Sequence, residues 1–169
     1  EQKILLEEII NDAPEAMIIT TPQRIIKIVN PAFCETFGYH NEDAVGKSTR
    51  FLYENSQAYE DAGAIKYNPE SSCDNQVLEI RYRRKDGSVF LSETVGGAIH
   101  DKRNHLIGYM AFVRDISKRK EAENKLQEYR QQIIASNDRL QIATQSVNMG
   151  VWDYDIKQEK LHWNSEMFT

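Results

Sequence analysis

The sequence predicts an α+β domain built around an antiparallel sheet. Three observations lead to that fold class. Two strand-like segments precede, and three follow, a group of short helical segments in the 169-residue chain. A hairpin-forming turn, Lys85-Asp86-Gly87, joins two strands of the second group and makes them antiparallel neighbours. The pattern of residues 17–33 recurs at 151–167 after a long helix, which indicates tandem modules.

The first segments are an amphipathic helix over residues 1–11 and two strands rich in β-branched residues, over 16–21 and 24–29. The stretch Thr21-Pro22-Gln23 lies where the strands meet and has the composition of a turn. We interpret the helix as a connector that leads into the domain.

Asn30 begins the helical group. Its side chain can accept a hydrogen bond from the first helical turn, and Pro31 suits the first helical position. Gly38 can adopt the left-handed conformation that ends a helix, so the first helix is expected over 31–37. Two further helices are expected over residues 41–45 and 54–67.

The second group of strands is expected over residues 77–84, 89–99 and 105–114. These segments carry the β-branched and aromatic residues that are typical of strands. Gly108 lies inside the last of them, and a glycine in such a place indicates close packing or a bulge.

From Asp115 onward the pattern is helical, with two series of residues spaced seven apart. Nearly four heptads of this spacing predict a parallel coiled-coil homodimer, with Leu126, Tyr129, Ile133 and Leu140 in its seam. The alternative is one amphipathic helix that packs on its own domain. The first series is Leu126, Ile133, Leu140 and Val147, and the second is Ala122, Tyr129, Ser136 and Ala143.

Composition narrows the function classes. The net charge of −5 does not favour nucleic-acid binding. Cys34 and Cys73 are far apart and lack metal-ligand spacing, so no metal site is expected. No apolar run of about 18 residues occurs, so membrane attachment would come only from parts of a parent protein outside this chain. The segment is expected in the cytoplasm, as a piece of a longer protein.

Several short motifs follow one another along residues 12–120. Together they resemble the PAS domain family with its C-terminal PAC half. The resemblance divides the chain into a connector helix (1–11), a PAS/PAC domain (12–117), a signalling helix (118–147) and the truncated start of a second PAS domain (148–169). The motifs are Asn30-Pro31-Ala32-Phe33, Phe37-Gly38-Tyr39, Arg83-Arg84-Lys85-Asp86-Gly87-Ser88, Gly108-Tyr109 and Arg114-Asp115-Ile116-Ser117.

The resemblance implies a five-stranded antiparallel sheet in the order 2-1-5-4-3, with helices on one face and a pocket beneath them. That pocket either holds a small ligand or is filled by its own aromatic side chains. Alternation along the strands then places Met110 on the opposite face of the sheet. The pocket candidates are Phe33, Phe37, Tyr82, Phe90, Ser92, Thr94, Tyr109 and Ala111.

The resemblance also gives reasons against two cofactors. Light-sensing members of the family carry a reactive cysteine where this chain has Thr49, and a hydroxyl cannot form their flavin adduct. Residues 54–67 contain no histidine that could ligate a haem iron. No nucleophile and base stand in a recognisable arrangement, so enzyme activity is not expected in this segment. An unidentified small ligand stays open.

These observations predict a regulatory sensor module that passes a signal through its helical linker to an output domain. The expected parent is a sensor histidine kinase, and a cyclic-di-nucleotide enzyme is the alternative parent. A ligand-free module that only dimerises is the alternative function. The expected coupling residues are Asp115, Ile116 and Ser117, where the last strand meets the helix.

Overall fold

Five antiparallel strands form the central sheet of the domain. The computed structural model describes residues 2–67, 77–146 and 152–163. The strands are β1 (Ala16–Thr20), β2 (Ile26–Val29), β3 (Leu78–Arg83), β4 (Val89–His100) and β5 (Leu106–Asp115). Their order, β2-β1-β5-β4-β3, confirms the topology that the family resemblance implies.

The helices that cover the sheet come between β2 and β3 in the sequence. A short 3₁₀ helix, Thr49–Leu52, was not expected from the sequence. Ser48 caps it by accepting a hydrogen bond from the backbone of Arg50. Asn55 caps the next α-helix, which therefore begins two residues after the expected start. The α-helices of the described residues are α1 (Gln2–Asp12), α2 (Pro31–Phe37), α3 (Asn41–Ala44), α4 (Ser56–Lys66) and α5 (Ser117–Ser146).

Asn30 joins three parts of the domain through its side chain. Its Oδ1 accepts hydrogen bonds from the backbone N–H of Phe33 in α2 (3.0 Å) and of Met17 in β1 (2.8 Å). Its Nδ2 donates to the carbonyl oxygens of Ala13 (3.2 Å) and Glu15 (2.8 Å). Because Asn30 is buried, these bonds replace those that water would make. The predicted helix cap is confirmed, and it also fixes the chain entering β1.

Two glycines allow the central strands to approach closely. A Cβ atom at Gly108 would lie 2.0 Å from the carbonyl oxygen of Thr20, and one at Gly96 would lie 2.4 Å from that of Met110. The pairing of β4 with β5 also shifts register beside Ile99, the partner of Gly108. The sequence-based prediction of close packing or a bulge at Gly108 is therefore confirmed.

The chain divides into two compact units, Glu1–Arg119 and Lys120–Thr169. The second unit contains an antiparallel hairpin of β6 (Trp152–Asp155) and β7 (Lys160–Trp163). This hairpin matches the strand, turn and strand expected from the internal repeat. The helix expected after it, from Asn164, lies outside the described residues. Within the described part of the chain, no helix is long and apolar enough to cross a membrane.

Replacing Asn30 with alanine is expected to lower the free energy of unfolding by about 2–4 kcal/mol, because it removes a helix cap and leaves buried backbone groups unpaired. Asn55→Ala is the matched control, since Asn55 is an exposed cap that accepts one hydrogen bond, from Ala58 (2.9 Å). It should cost about 1 kcal/mol. Urea unfolding followed by circular dichroism measures both losses. Equal losses would contradict the joining role of Asn30.

Candidate functional site

Aromatic rings fill much of the space between α2 and the sheet. Phe33 and Phe37 stack with 4.8 Å between their ring centroids. Phe37 also meets Tyr82 and Phe90 edge-on, at 5.4 and 5.3 Å. All four side chains are buried. Phe33, Phe37 and Phe90 were predicted to line a pocket. They form packed core instead, which agrees with the alternative that the pocket is filled by its own aromatic side chains.

A cavity of about 20 Å³ adjoins this cluster at Tyr82. Of the predicted pocket residues, Tyr82, Tyr109 and Ala111 line it, whereas Ser92 and Thr94 are buried in β4 and do not. Met110, which alternation places on the opposite face, borders the cavity as well. The other lining residues are Ile18, Thr20, Arg24, Thr49, Leu52, Tyr53 and Tyr67.

Hydroxyl groups lead from the cavity into the sheet. The hydroxyl groups of Tyr53, Tyr67 and Tyr82 are close enough to influence one another electrostatically, and that of Tyr82 is also close to Thr94. The Thr94 and Ser92 hydroxyl oxygens are 3.1 Å apart, and Ser92 donates to a backbone carbonyl of β3 (3.0 Å). Burial raises the pKa of each of the three tyrosines. They therefore stay neutral, and able to donate, at ordinary pH.

Arg24 brings a positive charge to the cavity wall. Its φ angle of 61° is left-handed, which is uncommon for a residue other than glycine, and only 8% of the residue is exposed. The guanidinium donates to the carbonyl oxygen of Tyr59 and to the hydroxyl of Tyr53, both at 2.9 Å. Its carbon lies 3.6 Å from the Tyr59 ring centroid and 4.9 Å from that of Tyr67. Among the described residues, no carboxylate pairs with Arg24.

Two threonine hydroxyls at the cavity have no partner within the described residues. Thr20 and Thr49 are 6% and 7% exposed, and neither Oγ1 atom makes a hydrogen bond there. A buried hydroxyl without a partner is unfavourable, so each site is suited to an additional polar group.

Sequence reasoning considered Thr49 only as an argument against flavin chemistry, and it missed Thr20 and Arg24 as site residues. Alternation along β1 could have found Thr20, because it shares the buried face of Ala16 and Ile18. No sequence signal marks the left-handed backbone that brings Arg24 to the cavity.

The last strand passes into the long helix through a single residue, Ile116. Ile116 is buried, and its N–H donates to the carbonyl oxygen of Leu91 in β4 (3.0 Å). The N–H of Leu91 donates in turn to Oγ of Ser117 (3.2 Å). Oδ1 of Asp115 accepts from the backbone N–H of Ser117 (2.8 Å). The start of α5 is therefore bonded both to β4 and to the end of β5.

Arg84 connects this junction to α2. Its guanidinium pairs with Asp115, donates to the carbonyl oxygen of Thr36 in α2 and lies 4.1 Å from the ring centroid of Phe90. Partial burial raises the pKa of Asp115, but hydrogen bonds from Ser117 and pairing with Arg84 outweigh it, so the pKa is lowered overall. Asp115 is therefore charged at neutral pH and can hold Arg84 in place.

The four residues expected in a dimer seam lie on α5 with their side chains exposed. Their exposed fractions range from 53% for Leu126 to 63% for Tyr129, with Ile133 and Leu140 in between. Ile134, next to the seam, is exposed to the same degree as Ile133. The helix thus presents apolar side chains to its surroundings along much of its length.

A family model for the PAS domain matches residues 14–118. The bacterioopsin transcriptional activator of Halobacterium salinarum is 28% identical to this chain over 142 residues. The signal transduction histidine-protein kinase AtoS of Escherichia coli is 27% identical over 126 residues. These matches cover 82% and 75% of this chain, but the chain spans only 21% and 20% of those two proteins.

A solved PAS domain from Colwellia psychrerythraea has the same fold. It matches with a TM-score of 0.63 and 21% identity, over 70% of this chain and 99% of that chain. The family model covers more than half of the present sequence, from before β1 to the first turn of α5. This chain therefore belongs to the PAS domain family.

Proposed function

We propose that this chain is a sensor module that alters the packing of α5 in response to a signal and thereby regulates an output domain. The observation that carries the proposal is the direct passage from β5 to α5 through the buried Ile116. Arg84 ties the same junction to α2 and to the aromatic core. A rearrangement in the core therefore reaches the helix through hydrogen bonds and packed side chains.

A histidine kinase is the output domain that we propose, since AtoS is among the relatives of this chain. Both relatives, a transcriptional activator and a signal transduction kinase, are regulatory proteins by name, which supports a sensor role. A cyclic-di-nucleotide enzyme is the alternative output. A ligand-free dimerisation module is the second candidate function, and the packed cluster of Phe33, Phe37 and Phe90 favours it. Response of an output domain to a change at the junction distinguishes the sensor from that second candidate.

Replacing Asp115 with alanine in a fusion of this chain to a histidine kinase core is expected to change autophosphorylation at least about fivefold, because typical coupling free energies correspond to such factors. Asp43→Ala is the matched control. Asp43 is also a surface carboxylate in an ion pair, with Lys85 (2.7 Å), but it contacts neither Arg84 nor α5 among the described residues. It should leave autophosphorylation unchanged.

Thermal unfolding of both variants establishes that each remains folded. If folded Asp115→Ala has the same autophosphorylation rate as Asp43→Ala, the junction does not relay a signal and the sensor proposal is wrong.

The Asp115 ion pair is also expected to make stability depend on pH. The pKa of Asp115 is lowered on folding, so its charged form stabilises the domain fully above the unfolded pKa of about 3.9. That contribution is lost as pH falls through the folded-state pKa. The difference in unfolding free energy between the native chain and Asp115→Asn should therefore be constant above about pH 5 and shrink below about pH 4. Urea unfolding at a series of pH values measures it; a difference unchanged at about pH 2.5 would be the contrary result.

The exposed apolar stripe on α5 supports a parallel homodimer as the working form of the module. Ile133→Gln should weaken dimerisation at least tenfold, about 1.4 kcal/mol, because it places a polar group in the seam. Ile134→Gln is the control, since Ile134 is equally exposed but lies outside the seam. Sedimentation equilibrium measures each dissociation constant. Equal weakening by the two substitutions, or a native chain that is monomeric at high micromolar concentration, would refute the seam.

A further inference from the structure

We propose that α4 is a latch that opens separately from the sheet, that Arg24 is the clasp which holds it closed, and that this opening is the movement through which the domain responds to a signal. The inference rests on the proposed sensor function and deepens it by naming the part of the domain that moves. Three properties of the structure carry it: the anchoring of Arg24, the contacts of its guanidinium with α4, and the weak attachment of α4 elsewhere.

The backbone of Arg24 is held on the side of the domain away from α4. Arg24 lies between β1 and β2, where its N–H donates to the carbonyl oxygen of Thr21 (2.9 Å). Its own carbonyl oxygen accepts from the N–H of Thr49, at the start of the 3₁₀ helix (3.0 Å). These bonds fix the left-handed backbone of Arg24 in place. The side chain is therefore the part of Arg24 that forms the connection to α4.

The guanidinium of Arg24 lies against the backbone and the rings of α4. Its Nη1 donates to the carbonyl oxygen of Tyr59, and its carbon lies 3.6 Å from the centroid of the same residue's ring. The ring of Tyr67, which caps the C-terminal end of α4, has its centroid 4.9 Å from that carbon. Hydrogen bonds from a charged donor are stronger than neutral ones, and cation–π contacts strengthen when they are desolvated. One buried side chain therefore supplies a substantial part of the attachment of α4.

Gly63 gives the guanidinium room to reach the helix. A Cβ atom at this position would lie 2.7 Å from Nη1 of Arg24, which is closer than van der Waals contact allows. Glycine in the interior of a helix is unfavourable relative to alanine, because it loses more conformational freedom on folding. The residue in the middle of α4 thus weakens the helix and admits the clasp. A helix of this composition depends on Arg24 for its closed position.

Other contacts attach α4 only weakly. Of its eleven residues, Ala62 and Lys66 are the buried ones, and Ile65 is 52% exposed. Arg50 pairs with Glu60 of α4, but both side chains are more than half exposed, and such ion pairs contribute little. Segments with few buried apolar contacts open locally at a lower free-energy cost than core strands do. We therefore expect α4 to open while the strands of the sheet stay paired.

Opening of α4 would change the interior of the domain. Arg24 and Tyr67 both line the cavity, whose closed volume of about 20 Å³ holds about one water molecule. When α4 moves away, Tyr67 moves with it, and the cavity loses part of its wall opposite Tyr109 in β5. That strand continues to Asp115, directly before α5. Release of the latch can therefore reach the signalling helix along β5.

Native-state hydrogen exchange of the 15N-labelled chain, observed by NMR at neutral pH, measures the opening directly, because protection of each backbone amide reports the free energy of the opening that exposes it. The amides of residues 60–66 should exchange at least about tenfold faster than those of β5. Their exchange should also depend less on low concentrations of urea, because a local opening exposes less surface than global unfolding. Arg24→Gln should speed exchange in α4 at least about tenfold further.

Gly63→Ala has an expected effect of opposite sign with and without the clasp. In the native background the new methyl group displaces Nη1 of Arg24 from the carbonyl of Tyr59, so exchange in α4 should become at least about threefold faster, although alanine favours the helix. In the Arg24→Gln background the guanidinium is absent, and Gly63→Ala should slow exchange about fivefold. If Arg24→Gln does not fold, the sign in the native background decides.

Arg50→Gln is the matched control. Arg50 also contacts the ring of Tyr59 and bonds to α4, but it does so at the exposed surface. Its loss should change exchange in α4 by less than about threefold. In the histidine kinase fusion, Gly63→Ala should change autophosphorylation at least about fivefold, whereas Arg50→Gln should leave it unchanged.

Three results would overturn the proposal. Equal exchange of α4 and β5 amides would mean that α4 opens only when the whole domain unfolds. Slower exchange in Gly63→Ala in the native background would mean that Arg24 is not a clasp. Faster exchange in Gly63→Ala without a change in autophosphorylation would mean that the opening carries no signal. Each would leave the relay at Asp115 standing, because the Asp115→Ala fusion tests it separately. Fast exchange in α4 together with an inert Asp115→Ala fusion would instead reject the relay and retain the opening of α4.

Discussion

β5 is bonded on both sides, to β1 and to β4, and this double pairing is the constraint on which the rest of the domain depends. On this strand, Tyr109 and Ala111 line the cavity. Asp115 is the last residue of the strand, shortly before α5 begins. From Tyr109 to Asp115 an extended strand rises about 20 Å. Because Gly108 admits the backbone of β1 at close range, the strand is held against its neighbour beside the cavity. β5 therefore connects the cavity to the start of α5 through one firmly paired strand.

Much of the fold could be predicted from local sequence signals, such as helix caps, turns and the positions of glycines. Asn30 needs only its neighbours to cap α2, and Gly87, with a φ angle of 86°, makes the turn between β3 and β4. Gly108 stands out because a glycine weakens the interior of a strand and is typical of places where two backbones approach closely. The hairpin of β6 and β7 has the same order of strand, turn and strand as β1 and β2. Apart from the repeat, each of these signals depends on residues close together in the chain, so one sequence is enough to detect them.

The cavity could be predicted only in part, because alternation identifies the inner face of a strand but not where packing leaves a gap. Phe33, Phe37 and Phe90 face inward as expected, and their rings pack against one another without leaving a cavity among them. The gap lies beside them, where a 3₁₀ helix presents Thr49 and a left-handed residue presents Arg24. The two features meet through a contact between distant segments, because the N–H of Thr49 donates to the carbonyl oxygen of Arg24 (3.0 Å). The sequence therefore identifies the wall made by β5 but not the polar groups opposite it.

The energetics of the junction indicate how it can switch. The side chains of Arg84 and Asp115 are 25% and 32% exposed, and ion pairs near the surface contribute roughly 0–1 kcal/mol. Coupling between sites typically requires about 1–3 kcal/mol, so the ion pair can supply the lower end of that range but not the whole of it. Burial of an isoleucine side chain contributes about 1.5–3 kcal/mol, and Ile116 is buried directly before α5. We therefore infer that Ile116 provides most of the free energy that holds the helix start, while Arg84 and Asp115 select its orientation. A junction of this composition can be shifted by a modest change in the core, because no single contact within it is strong enough to lock it.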